Sequence, residues 1–115
     1  MKTIKGPGIF LAQFISGQPP FNTLDGLAEW AAGLGFQALQ LPCNHPTIFD
    51  LTQAAASQTY CDDIAGRLAE RGLAISELST HLEGQLVAVN PAYDSAFDAF
   101  APAALRGDPT ARQQW

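Results

Sequence analysis

Ser79-Thr80-His81-Leu82-Glu83-Gly84-Gln85 is a polar cluster that directly follows the apolar run 73–78. An imidazole at the exit of a buried strand can hydrogen-bond a ligand hydroxyl or accept a proton near neutral pH. His81 is therefore the candidate catalytic residue, against the plainer reading of a histidine packed in a turn. Glu77 lies four residues earlier. If the strand runs on through His81, the two share one side with Leu73, Ile75 and Ser79. A carboxylate there must be paired or solvated, because burying it alone is costly. Glu83 and Gln85 flank Gly84 in the following loop, where Gln85 is the better candidate for a ligand contact. Gln13 is the single polar residue of the run 9–15, and Gln40 sits near the end of the run 36–42. Each amide either meets a hydroxylated ligand or satisfies a neighbouring group. His45 has Cys43 and Asp50 nearby, but their spacing matches no structural zinc pattern. It reads as a solvated loop histidine, and no metal ligand is assigned.

These residues need a frame to hold them. The run 9–15 is almost continuously apolar and bounded by glycines and prolines, the pattern of a strand buried on both faces. Pro19-Pro20 marks a loop. Thr23 then caps a helix, with Asp25 in its first turn and Leu24, Leu27, Ala28, Ala31 and Leu34 at helical spacing. Gly35 ends it. A second strand over 36–42 puts Phe36, Ala38 and Gln40 on one side and Gln37, Leu39 and Leu41 on the other. After an irregular loop over 43–50, Ser57 caps a second helix with a Tyr60, Cys61, Ile64, Ala65 and Leu68 stripe, ended by Gly72. The third strand is 73–80. Residues 34–41 and 71–78 form a weak repeat of helix end, glycine, strand. The order β-α-β-α-β implies a parallel sheet. Beyond it, Asn90-Pro91 and Asp108-Pro109 read as helix starts. Tyr93, Phe97 and Phe100 make a short apolar stripe, and Trp30 is assigned to interhelical packing.

Composition narrows the function classes. The chain has 115 residues, 47% hydrophobic and 15% charged. The charged share is low against about 25% in ordinary globular domains, which points to surfaces meant to be covered. The net charge is −5, and no Lys/Arg cluster supports nucleic-acid binding. No apolar run approaches the ~20 residues of a membrane span. The N-terminus does not read as a secretion signal, because residues 9–15 are only strand-length and no clean cleavage site follows. Cys43 and Cys61 fit no redox or zinc motif, so a reducing, cytoplasmic setting is expected.

The chain also reads as incomplete. A helix starting at Asp108-Pro109 has six residues left, and Trp115 would end a helix barely begun. Three parallel strands leave two edges to cover. Three segments carry a resemblance: Gly8-Ile9-Phe10-Leu11-Ala12-Gln13-Phe14, then Trp30-Ala31-Ala32-Gly33-Leu34-Gly35-Phe36, then Glu77-Leu78-Ser79-Thr80-His81-Leu82-Glu83-Gly84-Gln85-Leu86-Val87. In this order they resemble the sugar phosphate isomerase/epimerase group, the xylose-isomerase-like TIM-barrel superfamily. The last segment is the most specific. The resemblance spans essentially the whole chain, as about the first three units of a (β/α)8 barrel that takes about 250 residues.

The resemblance implies a metal-dependent isomerisation or epimerisation of a sugar or sugar phosphate. A divalent ion (Mn, Mg, Co or Zn) polarises the oxygens while carboxylates move a proton. Its ligands and the main catalytic carboxylates are expected mostly outside this chain, so these residues alone are expected to be inactive. His81 would act as the catalytic residue, with Gln13, Gln40, Glu77 and Gln85 as substrate contacts. The expected partner is a small sugar, with a homo-oligomer possible for the whole protein, and without nucleic acid or membrane. The loop around His45 departs from the family, which more often carries an aromatic-acidic pair there. Two alternatives remain. An apurinic-endonuclease-like zinc phosphodiesterase is disfavoured by the acidic balance and by only two histidines. A flavodoxin-like binding domain would need a Gly-rich cradle after a strand, and none is present. If the chain is incomplete, purified material is expected to associate through open strand edges. A sharp cooperative melt from a monomer, checked by calorimetry and light scattering, would count against it.

Overall fold

The computed structural model describes residues 3–114; the reading of Trp115 as an unpacked terminus falls outside them. The chain divides into two compact units, Met1–Ser79 and Thr80–Trp115. The first is a mixed α/β unit. Its parallel sheet has the strand order β1-β2-β3, built from β1 (Gly8–Phe10), β2 (Ala38–Pro42) and β3 (Ala74–Ser79). Helix α1 (Leu24–Gly33) links β1 to β2. Helices α2 (Leu51–Ala56) and α3 (Gln58–Ala69) link β2 to β3.

The capping chemistry explains where these helices begin and end. The Thr23 hydroxyl accepts from the Gly26 N–H at 3.1 Å, and the Ser57 hydroxyl accepts from the Tyr60 N–H at 3.2 Å. Gly35 and Gly72 follow α1 and α3 with φ of 88° and 72°. That left-handed conformation carries no penalty for glycine and lets the chain turn straight into a strand. The repeat seen in the sequence is thus two copies of one helix-to-strand corner.

One face of the sheet carries the core. Ile9, Leu11, Leu39, Leu41 and Ile75 pack with Leu24, Leu27, Ala28 and Ala31 of α1 and with Ile64 and Leu68 of α3. Leu39 and Leu41 are completely buried. Each contributes about 1.5–3 kcal/mol relative to exposure. Outside this core, Arg67 of α3 grips Asp25 of α1, with Nη2 to Oδ2 at 2.7 Å and Nε to Oδ1 at 3.3 Å. Arg71 adds contacts to Asp25 and Glu29.

Three expectations are corrected. The first strand stops at Phe10 instead of running to residue 15. The Phe14 N–H turns back to the Leu11 carbonyl at 2.9 Å, because the chain must leave the sheet to enter the loop before α1. Trp30 packs not between helices but on that loop, with ring centroids 4.8 Å from Phe14 and 5.3 Å from Phe21. Helix α2 was absent from the sequence reading. Asp50 caps it, accepting from the Gln53 N–H at 3.0 Å and from the Gln53 side chain at 2.9 Å. An aspartate three residues before a glutamine is an N-cap signal that the sequence carries.

The second unit is made of short turns: α4 (His81–Gly84), α5 (Asp94–Phe97) and α6 (Pro109–Gln114), with 3-10 turns between α5 and α6. Asp108 does cap α6, accepting from the Ala111 N–H at 3.0 Å. The organiser is Arg112, only 3% exposed. Its guanidinium reaches the Asp94 carboxylate at 3.1 Å and also holds Asp98. A guanidinium this buried needs such partners, since an unpaired charge there would be strongly destabilising.

Two glycines in helices should respond in opposite ways to alanine. A Cβ on Gly26 would lie 2.2 Å from the Pro20 carbonyl oxygen, whereas one on Gly66 meets nothing within 4 Å. Gly66→Ala should therefore raise stability by about 0.5–1 kcal/mol. Gly26→Ala should lower it despite the same gain in helix propensity, as compared by denaturant melts. The Arg67 guanidinium hydrogen-bonded to Asp25 holds that carboxyl below its ordinary value, against a smaller opposing effect of burial. A lowered folded pKa gives stability that is present above the unfolded value and lost as pH falls through the folded one. Asp25 is 46% exposed, so the pair is worth less than about 1 kcal/mol. The stability gap between the native protein and Asp25→Asn should be largest near pH 7 and close as pH falls below about 4. A gap unchanged at low pH would exclude this origin.

Candidate functional site

The residues paired across the sheet define two rows. Ile9, Leu39 and Ile75 lie side by side, and so do Phe10, Gln40 and Glu77. In a parallel sheet, residues in register point to the same face, and the next row points to the other. The first row faces the helices. The second faces away from α1 and α3.

Strict alternation along β3 would put Ile75 and Glu77 on one side, as the sequence reading has it. The structure departs from this. The register shifts between Leu39 and Gln40, so that Ile75 pairs with Leu39 and Glu77 with Gln40, leaving Ser76 as an extra residue. This bulge turns Glu77 out of the helix-covered core. Its carboxylate Oε1 accepts a hydrogen bond from Gln40 Nε2. Two candidate residues 37 apart in sequence are thus brought into contact. Gln40 is half-buried and Glu77 exposed. Phe10, which the sequence reading placed within a strand buried on both faces, completes the row and is 57% exposed. Its apolar character gave no signal of this position.

The other candidates lie elsewhere. Gln13 is exposed in the turn after β1 and does not occupy the sheet. His81 does not extend β3: it is the first residue of α4, after Thr80 leaves extended geometry at φ −126°, ψ 25°. It is exposed and belongs to the second unit. There its carbonyl accepts from Gln85 Nε2 at 3.1 Å. Gln85 and Glu83 are half-buried in the same unit. The expected alignment of Glu77 beneath His81 on one strand side is therefore not formed by strand geometry.

In the loop after β2, the His45 carbonyl accepts from the Ile48 and Phe49 N–H groups at 2.9 Å each. Asp50 is committed to capping α2, and the pair of hydrogen bonds from Gln53 holds its carboxyl below the ordinary range. Cys43 is buried, with its N–H donated to the Ser79 carbonyl at 2.9 Å. Among the described residues, no three His, Cys, Asp or Glu side chains gather as a metal ion would require. A cleft of about 750 Å3 opens at the opposite, N-terminal ends of the strands, between Ile4, Lys5, Gln37 and Leu73. It contains none of the candidate residues. Among the described residues no helix is long and apolar enough to cross a membrane.

Comparison with known proteins adds no family: no family model matches the chain, and no curated protein matches it.

Deleting Ser76 should leave Glu77 opposite Gln40, because Ile75, Glu77 and Leu78 then face Leu39, Gln40 and Leu41 one to one. The deletion should keep a cooperative melt, and Ser76→Ala should stay within about 0.5 kcal/mol of the native protein. A deletion variant that loses the cooperative melt would show that the extra residue does more than set the pairing of Glu77.

Proposed function

We propose that the chain supplies the first βα units of a sugar or sugar-phosphate isomerase or epimerase of the xylose-isomerase-like TIM-barrel type. The observation that carries this reading is the winding of the sheet. Three consecutive parallel strands lie in chain order, α1 and α3 cover one face, and an amide–carboxylate pair lies on the other. In a closed (β/α)8 barrel the helix-free face becomes the interior, and ligands approach the C-terminal ends of the strands. Gln40 and Glu77 would then line that interior as substrate contacts. His81, two residues past β3, would assist proton movement or orient a hydroxyl. Gln13 and Gln85 would contact substrate from their loops. A divalent ion, implied by the resemblance, would take its ligands mostly from outside these residues and would polarise the substrate oxygens.

The reaction would move a proton between a hydroxyl-bearing carbon and the carbonyl carbon beside it, or remove and return it on opposite faces of one carbon. The alternatives have less support. A flavodoxin-like sheet has β1 between β2 and β3, whereas here β2 is central. A phosphodiester-binding face needs a cluster of free cations, whereas Arg67, Arg71 and Arg112 are engaged by carboxylates and, among the described residues, Lys5 and Arg106 are the other cationic side chains.

The test is incubation of the protein that carries these units with a panel of ketoses, aldoses and their phosphates in D2O with Mn2+ or Mg2+, read by NMR. Solvent deuterium should enter the carbon next to the carbonyl, with isomer or epimer formed. His81→Ala should slow turnover by about 10²-fold with little change in the melt. Undiminished turnover would remove His81 from the chemistry, and a panel without exchange or product would sink the enzyme reading.

A further inference from the structure

The row Phe10, Gln40 and Glu77 is more specific than a generic polar wall. Gln40 donates one amide hydrogen to Glu77. A carboxylate has about four acceptor positions, so the remaining ones stay available to hydroxyl donors. The Gln40 amide keeps its own acceptor oxygen and a second N–H. An acceptor-rich carboxylate beside an amide that both donates and accepts matches two adjacent hydroxyls. The Phe10 ring, in register beside Gln40 and 57% exposed, offers an apolar surface of the kind that packs on the C–H face of a sugar. The next row on the same face is Gly8, Ala38 and Ala74, all of them small.

Charge sharpens the ligand class. The cationic side chains of this unit among the described residues are Lys5, Arg67 and Arg71. Lys5 lines the cleft at the N-terminal ends of the strands. Arg67 and Arg71 are on α3, paired with Asp25, Asp63 and Glu29. His45 is in the loop after β2 and its carbonyl is the part bound there. The row itself therefore holds one carboxylate and no cation, which repels a phosphate dianion.

We infer that Phe10, Gln40 and Glu77 form a subsite for the uncharged vicinal diol of a polyol or sugar, in which Gln40 is a positioning residue that holds the Glu77 carboxylate. This rests on the carbohydrate chemistry proposed above. The subsite does not take a phosphoryl group.

The test is an NMR titration of the full chain with xylitol, D-fructose and D-fructose 6-phosphate. The two neutral compounds should shift the resonances of Phe10, Gln40 and Glu77, and the phosphate ester should bind at least tenfold more weakly. Glu77→Gln preserves shape while removing the charge. It should weaken D-fructose tenfold or more and bring the phosphate ester to near parity, a change that a merely structural pair would not produce. Gln40→Ala should weaken D-fructose several-fold. The exchanged double variant Gln40→Glu with Glu77→Gln restores an amide–carboxylate pair, so it should recover the melt without recovering affinity. The inference is overturned by shifts confined to other residues, by no shifts, by equal binding of the ester to the native protein, or by native affinity in Glu77→Gln. Neutral-sugar binding at this row, with no turnover by the whole protein that carries these units, would sink the isomerase reading alone. Turnover with sugar shifts elsewhere would sink the subsite alone.

Discussion

The burial of β2 beneath two helices is the constraint on which the first unit depends. Leu39 and Leu41 alternate with Gln40, and both are completely buried. They meet α1 on one side and α3 on the other, so the two helices must lie on the same face of the sheet. Truncating a leucine of this kind removes about 2–5 kcal/mol, a large part of the 5–15 kcal/mol that keeps a domain folded. The Arg67–Asp25 clasp joins the same helices on their wet side and contributes far less, because both groups are well solvated.

This one-sided burial decides what the other face can do. With α1 and α3 on the first face, a polar group can be held on the second without burying it in hydrocarbon. Gln40 sits there by simple alternation from Leu39. Glu77 sits there only because the bulge at Ser76 offsets β3 by one residue. Glu77 is exposed and Gln40 half-buried, so the hydrogen bond between them orients the pair and offsets little burial. In the second unit Arg112 is buried with Asp94 and Asp98 as its partners, and Leu86 and Ala101 are buried as well.

Much of the first unit was legible in advance, and for local reasons. Thr23, Ser57, Gly35 and Gly72 mark helix limits because capping hydroxyls and left-handed glycines act on neighbours within a few residues. The parallel order followed from helices standing between the strands. Asp50 carried an equally local signal that was overlooked. The site was less legible. Gln40 and Glu77 were both singled out, but as separate residues. His81, expected to continue β3, begins α4 instead. Gln13 was placed on a strand that ends three residues before it.

The sequence by itself determined the alternation of helix and strand, most of the buried helix positions (Leu34 and Ala65 being exposed) and the polar residues available for chemistry. Each of those is set by residue type and by spacing along the chain. Only the tertiary structure decided which face Glu77 occupies and that Gln40 is the side chain it meets. A strand's register depends on how its neighbour pairs with it, and one extra residue reverses every side chain beyond it. No local pattern around Ser76 records that shift, because the pairing with β2 is made 37 residues away.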